Sequence, residues 1–198
     1  GALDKSLSEF ALENSVSGFE FLSCIPGSIG GGIRMNSGCF GSEFKDILIS
    51  VQAVNLLGEI LTIPAKDINF NYRSCDLPKD LIFLSATFEG NKKKKEEIKE
   101  TINIFKTKKE KAQPTKIKTG GSTFKNPIKQ TDKKVWQIIK ESVPNNIQFG
   151  DAVISDKHAN FFINKNNASY KDMKKLIDFV KKNVKNKTGI NLDLEIIL

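Results

Sequence analysis

Four of the ten residues from Ile25 to Arg34 are glycine, in the run Ile25-Pro-Gly-Ser-Ile-Gly-Gly-Gly-Ile-Arg34, and no other segment restricts the chain as much. Glycine lacks the Cβ that keeps a backbone at a distance, so such a run belongs where the chain comes very close to something else. Two readings stay open: a concave row of unobstructed N–H groups cradling diphosphate oxygens, or a tight turn between strands. The run is neither GxGxxG nor a Walker loop, since it lacks the lysine-serine/threonine end.

With 198 residues, 39% of them apolar and 27% charged, the chain has enough material for a folded core and is too apolar for disorder. Its apolar stretches are short and interrupted, so no segment reads as a membrane span and a soluble protein is expected. Cys24, Cys39 and Cys75 match neither a CxxC pair nor a zinc set, which points to a reduced compartment. The net charge of +8 would ordinarily suggest a polyanion. However, of the 31 basic residues only Arg34 and Arg73 are arginine, whereas a base-reading surface favours the arginine fork. The lysine excess therefore reads as compositional drift, with no specific nucleic acid implied. The same drift singles out the two arginines as sites that need a planar fork.

Two halves are expected. Residues 1 to 90 hold ten of the 14 glycines and should be mostly strand: 44–54 and 59–63 form a hairpin around Leu57-Gly58, and 81–84 begins another strand. Residues 4–14 read as a short helix with Leu7, Phe10 and Ala11 on one face. Residues 91–111 read as a connecting helix carrying Ile98, Ile102 and Phe105, its four-lysine run being the wet face. In the second half 133–141 reads as a helix, 161–164 as a strand, and 191–198 as a terminal strand. Between the last two, Ser169 caps a helix whose stripe is Met173, Leu176, Ile177, Val180 and Val184 and which Gly189 ends.

Three further segments carry side chains suited to chemistry, Phe70-Asn-Tyr-Arg-Ser74, Gly120-Gly-Ser-Thr-Phe-Lys-Asn-Pro127 and Asp156-Lys-His-Ala-Asn-Phe-Phe-Ile-Asn164, whereas the terminal Gly189-Ile-Asn-Leu-Asp-Leu-Glu-Ile196 reads only as a strand. Each also has a plain reading. Arg73 could be a surface arginine, Ser122 a turn or helix-cap serine, and Glu195 an exposed strand residue. His158, the one histidine, could be a hydrogen-bonded structural residue at a strand entry, and without a partner ligand it makes no zinc site.

Taken in order, IPGSIGGGIRMNSGCFG, FNYRS, GGSTFKNP, KHANFFIN and GINLDLEI closely resemble the MurB family of UDP-N-acetylenolpyruvoylglucosamine reductases, over the chain from about residue 1 to 198. The resemblance implies a cytoplasmic flavoenzyme of peptidoglycan synthesis, and hence of cell-wall growth and cell division. In that family NADPH reduces FAD, and hydride then passes to an enolpyruvyl ether on a UDP-sugar. It implies an α+β fold: residues 1–107 as the second part of a FAD-binding domain of the vanillyl-alcohol-oxidase class, and 108–198 as a small α+β substrate-binding domain. Pro26, Gly27, Ser28, Gly30, Gly31, Ile33 and Arg34 fall on the FAD diphosphate side. Arg73, Ser122 and Glu195 match the catalytic arginine, the serine proton donor and the C-terminal glutamate, and Tyr72, Asn126 and His158 match substrate contacts. No metal and no membrane partner is implied. Because Arg73 comes from one half and Ser122 and Glu195 from the other, the resemblance implies a site to which both contribute.

The implied chemistry suits these residues. Hydride delivered to the CH2 carbon of a vinyl ether conjugated with a carboxylate leaves extra charge on the carboxyl oxygens, which an arginine fork can hold. Protonation of the adjacent carbon needs a donor on one face, and a fixed serine hydroxyl suffices against so strong a base. An ionised glutamate there would oppose the developing charge, so Glu195 is expected to serve in its protonated form or by orienting Arg73 and the substrate.

The sequence departs from the family in three respects. It shows no Gly-Ser-Asn type FAD-binding portion of the kind that precedes this region in the family, and it opens on Gly1 rather than methionine. It is therefore expected to be part of something longer or a processed product, with that N-terminal region as its partner. The corresponding alternative is a folded, noncatalytic piece unable to retain FAD. Cys24 stands where glycine is common and would be mildly strained if a positive φ were required. Finally, a tyrosine-bearing insertion between Arg73 and Ser122 is missing, which resembles the shorter subtype with its more open substrate site.

Overall fold

The computed structural model describes residues 1–114 and 117–198, which divide into two compact units, Gly1–Lys109 and Glu110–Leu198. Both units mix helices with antiparallel strands, giving an α+β architecture. Among the described residues no helix is long and apolar enough to cross a membrane.

The first unit opens with α1 (Asp4–Glu13), β1 (Val16–Ser17) and a 3-10 turn over Glu20–Cys24. It continues through α2 (Ile29–Arg34), the small hairpin of β2 (Gly38–Cys39) and β3 (Ser42–Glu43), and a second 3-10 turn at Phe44–Asp46. Next come β4 (Leu48–Val54), β5 (Ile60–Pro64), the hairpin of β6 (Phe70–Asn71) and β7 (Ser74–Cys75), and β8 (Ile82–Phe88). The unit closes with β9 (Asn91–Lys92), paired with β1, and α3 (Lys95–Ala112), within which the division between units falls. Strands β5, β4 and β8 make a three-stranded antiparallel sheet in that order. One face of it, through Val51 and Ala53, packs with Phe21, Leu22, Ile33 and Phe44 into the core.

The expected hairpin around Leu57-Gly58 is present because Asn55 Oδ1 accepts the N–H groups of Leu57 (2.9 Å) and Glu59 (3.0 Å), closing the loop locally. Other expectations need correction. The first half is not mostly strand, since only β4, β5 and β8 exceed two residues. The stretch expected as strand from residue 44 begins with the 3-10 turn. The helix expected from residue 91 starts at Lys95, because Asn91 and Lys92 are committed to the ladder with β1. Cys24 ends a 3-10 turn and is not among the residues with positive φ, so the anticipated strain is absent.

In α1 the buried face is Asp4, Ser8 and Ala11, while the expected core residue Phe10 is 64% exposed. Both carboxyl oxygens of Asp4 and the Ser8 hydroxyl lack a hydrogen-bond partner among the described residues. Burial pushes the Asp4 carboxyl up from 3.8 to about 6. The fold thus binds this proton more tightly than the unfolded chain does. The corresponding stability is full below the unfolded value and is lost as pH rises through about 6, at a cost of roughly 3 kcal/mol by neutrality. Asp4→Asn should therefore melt higher than the parent at pH ~7.5 and lose that advantage near pH ~4.5. Melting curves that run parallel across this range would show that Asp4 is not the titrating group.

The second unit contains β10 (Thr119–Ser122), α4 (Val135–Ser142), β11 (Gln148–Phe149), β12 (Ala152–Ile154), β13 (Phe161–Asn164) and α5 (Tyr170–Thr188). Its antiparallel sheet has the order β10-β13-β12-β11. Helix α5 forms as its pattern predicts. Ser169 and Asp172 cap it reciprocally, Gly189 ends it at φ 76°, and Leu176, Ile177, Val180 and Val184 are buried with Phe124, Ile138, Ile139 and Phe162. The expected terminal strand over 191–198 shrinks to a single bridge, Phe124 opposite Leu194, flanked by Lys125 N–H to Asp193 O (2.9 Å) and Glu195 N–H to Thr123 O (2.9 Å).

Candidate active site

The glycine run folds neither as an open nest nor as a turn between strands. Ser28 caps the six-residue α2, its Oγ accepting the Gly31 N–H at 3.4 Å, and the amides of Ile29 and Gly32 are taken by Ala2 O (2.9 Å) and Ser28 O (2.8 Å). The glycines serve separate ends. A Cβ at Gly32 would lie 2.2 Å from the Phe44 ring, and one at Gly27 2.8 Å from Asp4 Oδ2, so both are demanded by close packing. At Gly30 the nearest atom would be on Phe83 at 3.7 Å, and at exposed Gly31 it would be Ser28 Oγ at 3.3 Å. Both missing side chains would thus meet the protein itself, Gly30 at ordinary contact distance and Gly31 more closely, although Gly31 is exposed. Ile33, expected beside the cofactor, is fully buried in the core and lines no surface. The Arg34 guanidinium donates to the carbonyls of Leu77 (2.9 Å), Pro78 (2.8 Å) and Leu81 (2.9 Å) and lies 4.5 Å from the Phe83 ring. Its fork binds the chain's own backbone and fixes the 77–81 loop against α2.

Tyr72 and Arg73 form the two-residue turn between β6 and β7, with Arg73 in the left-handed region at φ 56°. Its guanidinium sits 5.0 Å from the Tyr72 ring, and Nη2 donates to Gly38 O at 3.3 Å. Nearby, the Cys39 thiol is pushed up to about 11 by burial and by Cys24, which leaves it a poor nucleophile.

In the second unit Ser122 is neither a turn nor a cap residue; it ends β10, opposite Phe161 of β13. The register shifts between Thr119 and Ser122, and Gly121 at φ 87° supplies the backbone conformation that this irregularity needs. The next residue, Thr123, is held from both sides, donating its N–H to Asn160 O (2.8 Å) and accepting from Glu195 N–H (2.9 Å). Ser122 and Glu195 therefore lie on neighbouring backbones fixed to one another, and both are half-buried. Asn126 Oδ1 accepts the Val135 N–H at 3.0 Å, at the start of α4. His158 stands in the turn before β13 with Nδ1 accepting the Asn160 N–H at 3.3 Å and its ring edge-on to Phe161 at 4.9 Å; burial lowers its pKa. It lines a groove of about 710 Å³ together with Trp136, Lys140, Lys157 and Lys165.

Two residues that the sequence reading passed over hold these parts together. Asn160 is buried and its side chain both donates to Phe124 O (2.8 Å) and accepts Phe124 N–H (3.0 Å). Asn36 makes a comparable set of bonds in the first unit. The available signal was an amide set among apolar or small residues inside an already suspect motif.

The C-terminal domain model of UDP-N-acetylenolpyruvoylglucosamine reductase matches residues 113–198, and a FAD binding domain model matches residues 1–64. The UDP-N-acetylenolpyruvoylglucosamine reductase of Pelagibacter ubique is 65% identical over 194 residues, covering 98% of this chain and 64% of the relative. That of Rickettsia typhi is 43% identical over 194 residues, covering 98% and 65%. The crystal structure of the Thermus caldophilus reductase, MurB, superposes with a TM-score of 0.85 at 29% identity, over 98% of this chain and 69% of that one. Nearly the whole chain is thus similar to MurB reductases, and residues 113–198 match their C-terminal domain. It spans slightly less than two thirds of the length of the curated MurB relatives named above. The MurB C-terminal match contains Ser122, Asn126, His158 and Glu195, whereas Tyr72 and Arg73 lie beyond the end of the FAD-binding match at residue 64.

Proposed function

We propose that the chain carries the reductase activity of the MurB family: reduction of the enolpyruvyl group of UDP-N-acetylglucosamine enolpyruvate to UDP-N-acetylmuramate, with FAD and NADPH, in cytoplasmic peptidoglycan precursor synthesis. The observation that supports this reading is that Glu195 N–H is bonded to Thr123 O, next in the chain to Ser122, so that the two proposed residues are carried by adjoining backbone segments. Both residues are then held by paired backbone rather than by a loose loop.

The FAD fit rests on half-buried Gly30 and exposed Gly31, adjacent residues of α2 that carry no side chain. Pro26, Gly27, Ser28, Gly30 and Gly31 would hold it, with Arg34 shaping the neighbouring loop. When bound, FAD supplies the hydride, which it takes from NADPH. The Arg73 fork holds the substrate carboxylate and the charge that develops on it. Ser122 donates the proton to the carbon beside that carboxylate, and Glu195 orients the group that receives it. The groove beside His158 and Trp136 suits the UDP moiety, since Lys140, Lys157 and Lys165 can face its phosphates and Trp136 offers a flat face. Tyr72 and Asn126 complete the substrate contacts.

The span of 64% of the Pelagibacter relative favours a second reading, in which the folded chain carries these residues but retains FAD only with the remaining third of the enzyme present. Titrating FAD by absorbance and fluorescence, with and without the unmatched region of that relative, separates the two. Uptake by the chain alone, followed by substrate-dependent NADPH oxidation, is the expected result. Uptake only when the extra region is added would support the second reading. FAD uptake without any substrate-dependent NADPH oxidation in either case would overturn the reductase assignment.

A further inference from the structure

Asn36 is fully buried just after α2, in the left-handed region at φ 40°. Its side-chain amide makes three bonds to two other segments. Nδ2 donates to Glu43 Oε2 at 2.9 Å and to Asn71 O at 3.3 Å, while Oδ1 accepts the Lys45 N–H at 3.1 Å. The end of α2, the β3 region and the β6–β7 hairpin are thus joined through one group. Asn71 is the last residue before the Tyr72-Arg73 turn, and Gly38, which accepts from Arg73 Nη2, lies two residues after Asn36. The turn that presents Arg73 is consequently tied on both sides to one short stretch, 36–38.

We infer that Asn36 is a positioning residue that holds the β6–β7 hairpin so that Arg73 is presented in one orientation; its catalytic consequence rests on the Arg73 role proposed above. No other side chain meets all the requirements. The site needs a donor to a carbonyl, a donor to a carboxylate and an acceptor for an amide, on a residue tolerant of positive φ. Aspartate keeps the acceptor but loses both donors and sets a second carboxylate against Glu43. Glycine keeps only the backbone freedom. The hairpin's own ladder is two residues on each strand, and the Asn69–Asp76 bonds beyond it close the end away from the turn, which leaves the turn end to be held from outside. Arg73 adds to the requirement, since a left-handed arginine persists only where the surroundings hold it.

The test compares amide hydrogen exchange and steady-state kinetics in Asn36→Gly, which retains access to the observed φ, and Asn36→Asp. Exchange across residues 71–76 should accelerate about tenfold in both variants, as expected for loss of a buried hydrogen bond, while α5 stays unchanged. The enolpyruvyl substrate should show a lower kcat, and reduction of the flavin by NADPH should keep its rate. Unchanged exchange in the hairpin overturns the inference. So does a loosened hairpin with undiminished kcat, provided that Arg73→Ala abolishes turnover. If Arg73→Ala leaves turnover intact, it is the Arg73 role that fails, and the exchange data alone decide whether Asn36 holds the hairpin. Should either variant not fold, the wild-type chain still decides, because the Asn36 side-chain amide protons must exchange together with the hairpin amides, and independent exchange contradicts the tether.

Discussion

Ser122→Ala should lower turnover of the enolpyruvyl substrate by about a thousandfold, within the range for loss of a positioned proton donor, and leave NADPH reduction of bound flavin untouched. The separation follows from where the hydroxyl sits. Ser122 belongs to the second unit, on β10, whereas the bare glycine backbone proposed for FAD belongs to the first. Removing one oxygen from a half-buried strand end leaves its backbone pairing to Phe161 intact. The hydroxyl is a weak acid, so its value depends on position, and the Thr123 bonds to Asn160 O and from Glu195 N–H hold the adjoining backbone from both sides. Ser122→Cys, with a stronger acid at nearly the same place, should retain part of the rate. Rapid-mixing spectrophotometry reads both half-reactions separately. A fall of less than tenfold would remove Ser122 as the donor, and loss of flavin reduction would assign it to the wrong half of the reaction.

The parts of this arrangement that were legible in the sequence are those whose cause is local. Helix α5 could be read because Ser169, Asp172, the Leu176 to Val184 stripe and Gly189 are all signals within or beside the element. The β4–β5 hairpin could be read because Asn55 closes its own loop. Elements set by distant partners were misread. Three glycines within it argue against a helix on propensity, yet α2 forms because Ser28 caps it, Ile33 is drawn into the core and Phe44 lies flush against Gly32. Residues 191–198 alternate like a strand but pair only around Leu194, the one place where β10's continuation runs alongside. Among the site residues, Arg73 stood out by type in a lysine-rich chain. Ser122 needed the bulge at Gly121, and Asn36 and Asn160 needed their partners, before their places could be seen.

Gly32→Ala tests how far that distant packing dominates. In an exposed helix interior this change would stabilise by about 1 kcal/mol. Here the new methyl would stand 2.2 Å from Phe44 Cε2 and 2.4 Å from Cζ, both in the fully buried core. The ring has no room to retreat, being packed edge-on against Phe21 at 6.3 Å and Phe88 at 6.1 Å. Overpacking of this kind costs about 3 kcal/mol or more, which outweighs the helix gain and should lower the Tm by about 10 °C. Gly31→Ala, one residue earlier, meets only the Ser28 hydroxyl at 3.3 Å on an exposed surface and should leave the Tm within a few degrees while weakening FAD binding. Thermal denaturation of the two variants checks the contrast. Phe44→Leu placed in the Gly32→Ala background should recover part of the loss by vacating the ring's space. If Gly32→Ala instead melts at or above the parent, the close approach of α2 to Phe44 is not what the glycine is there for.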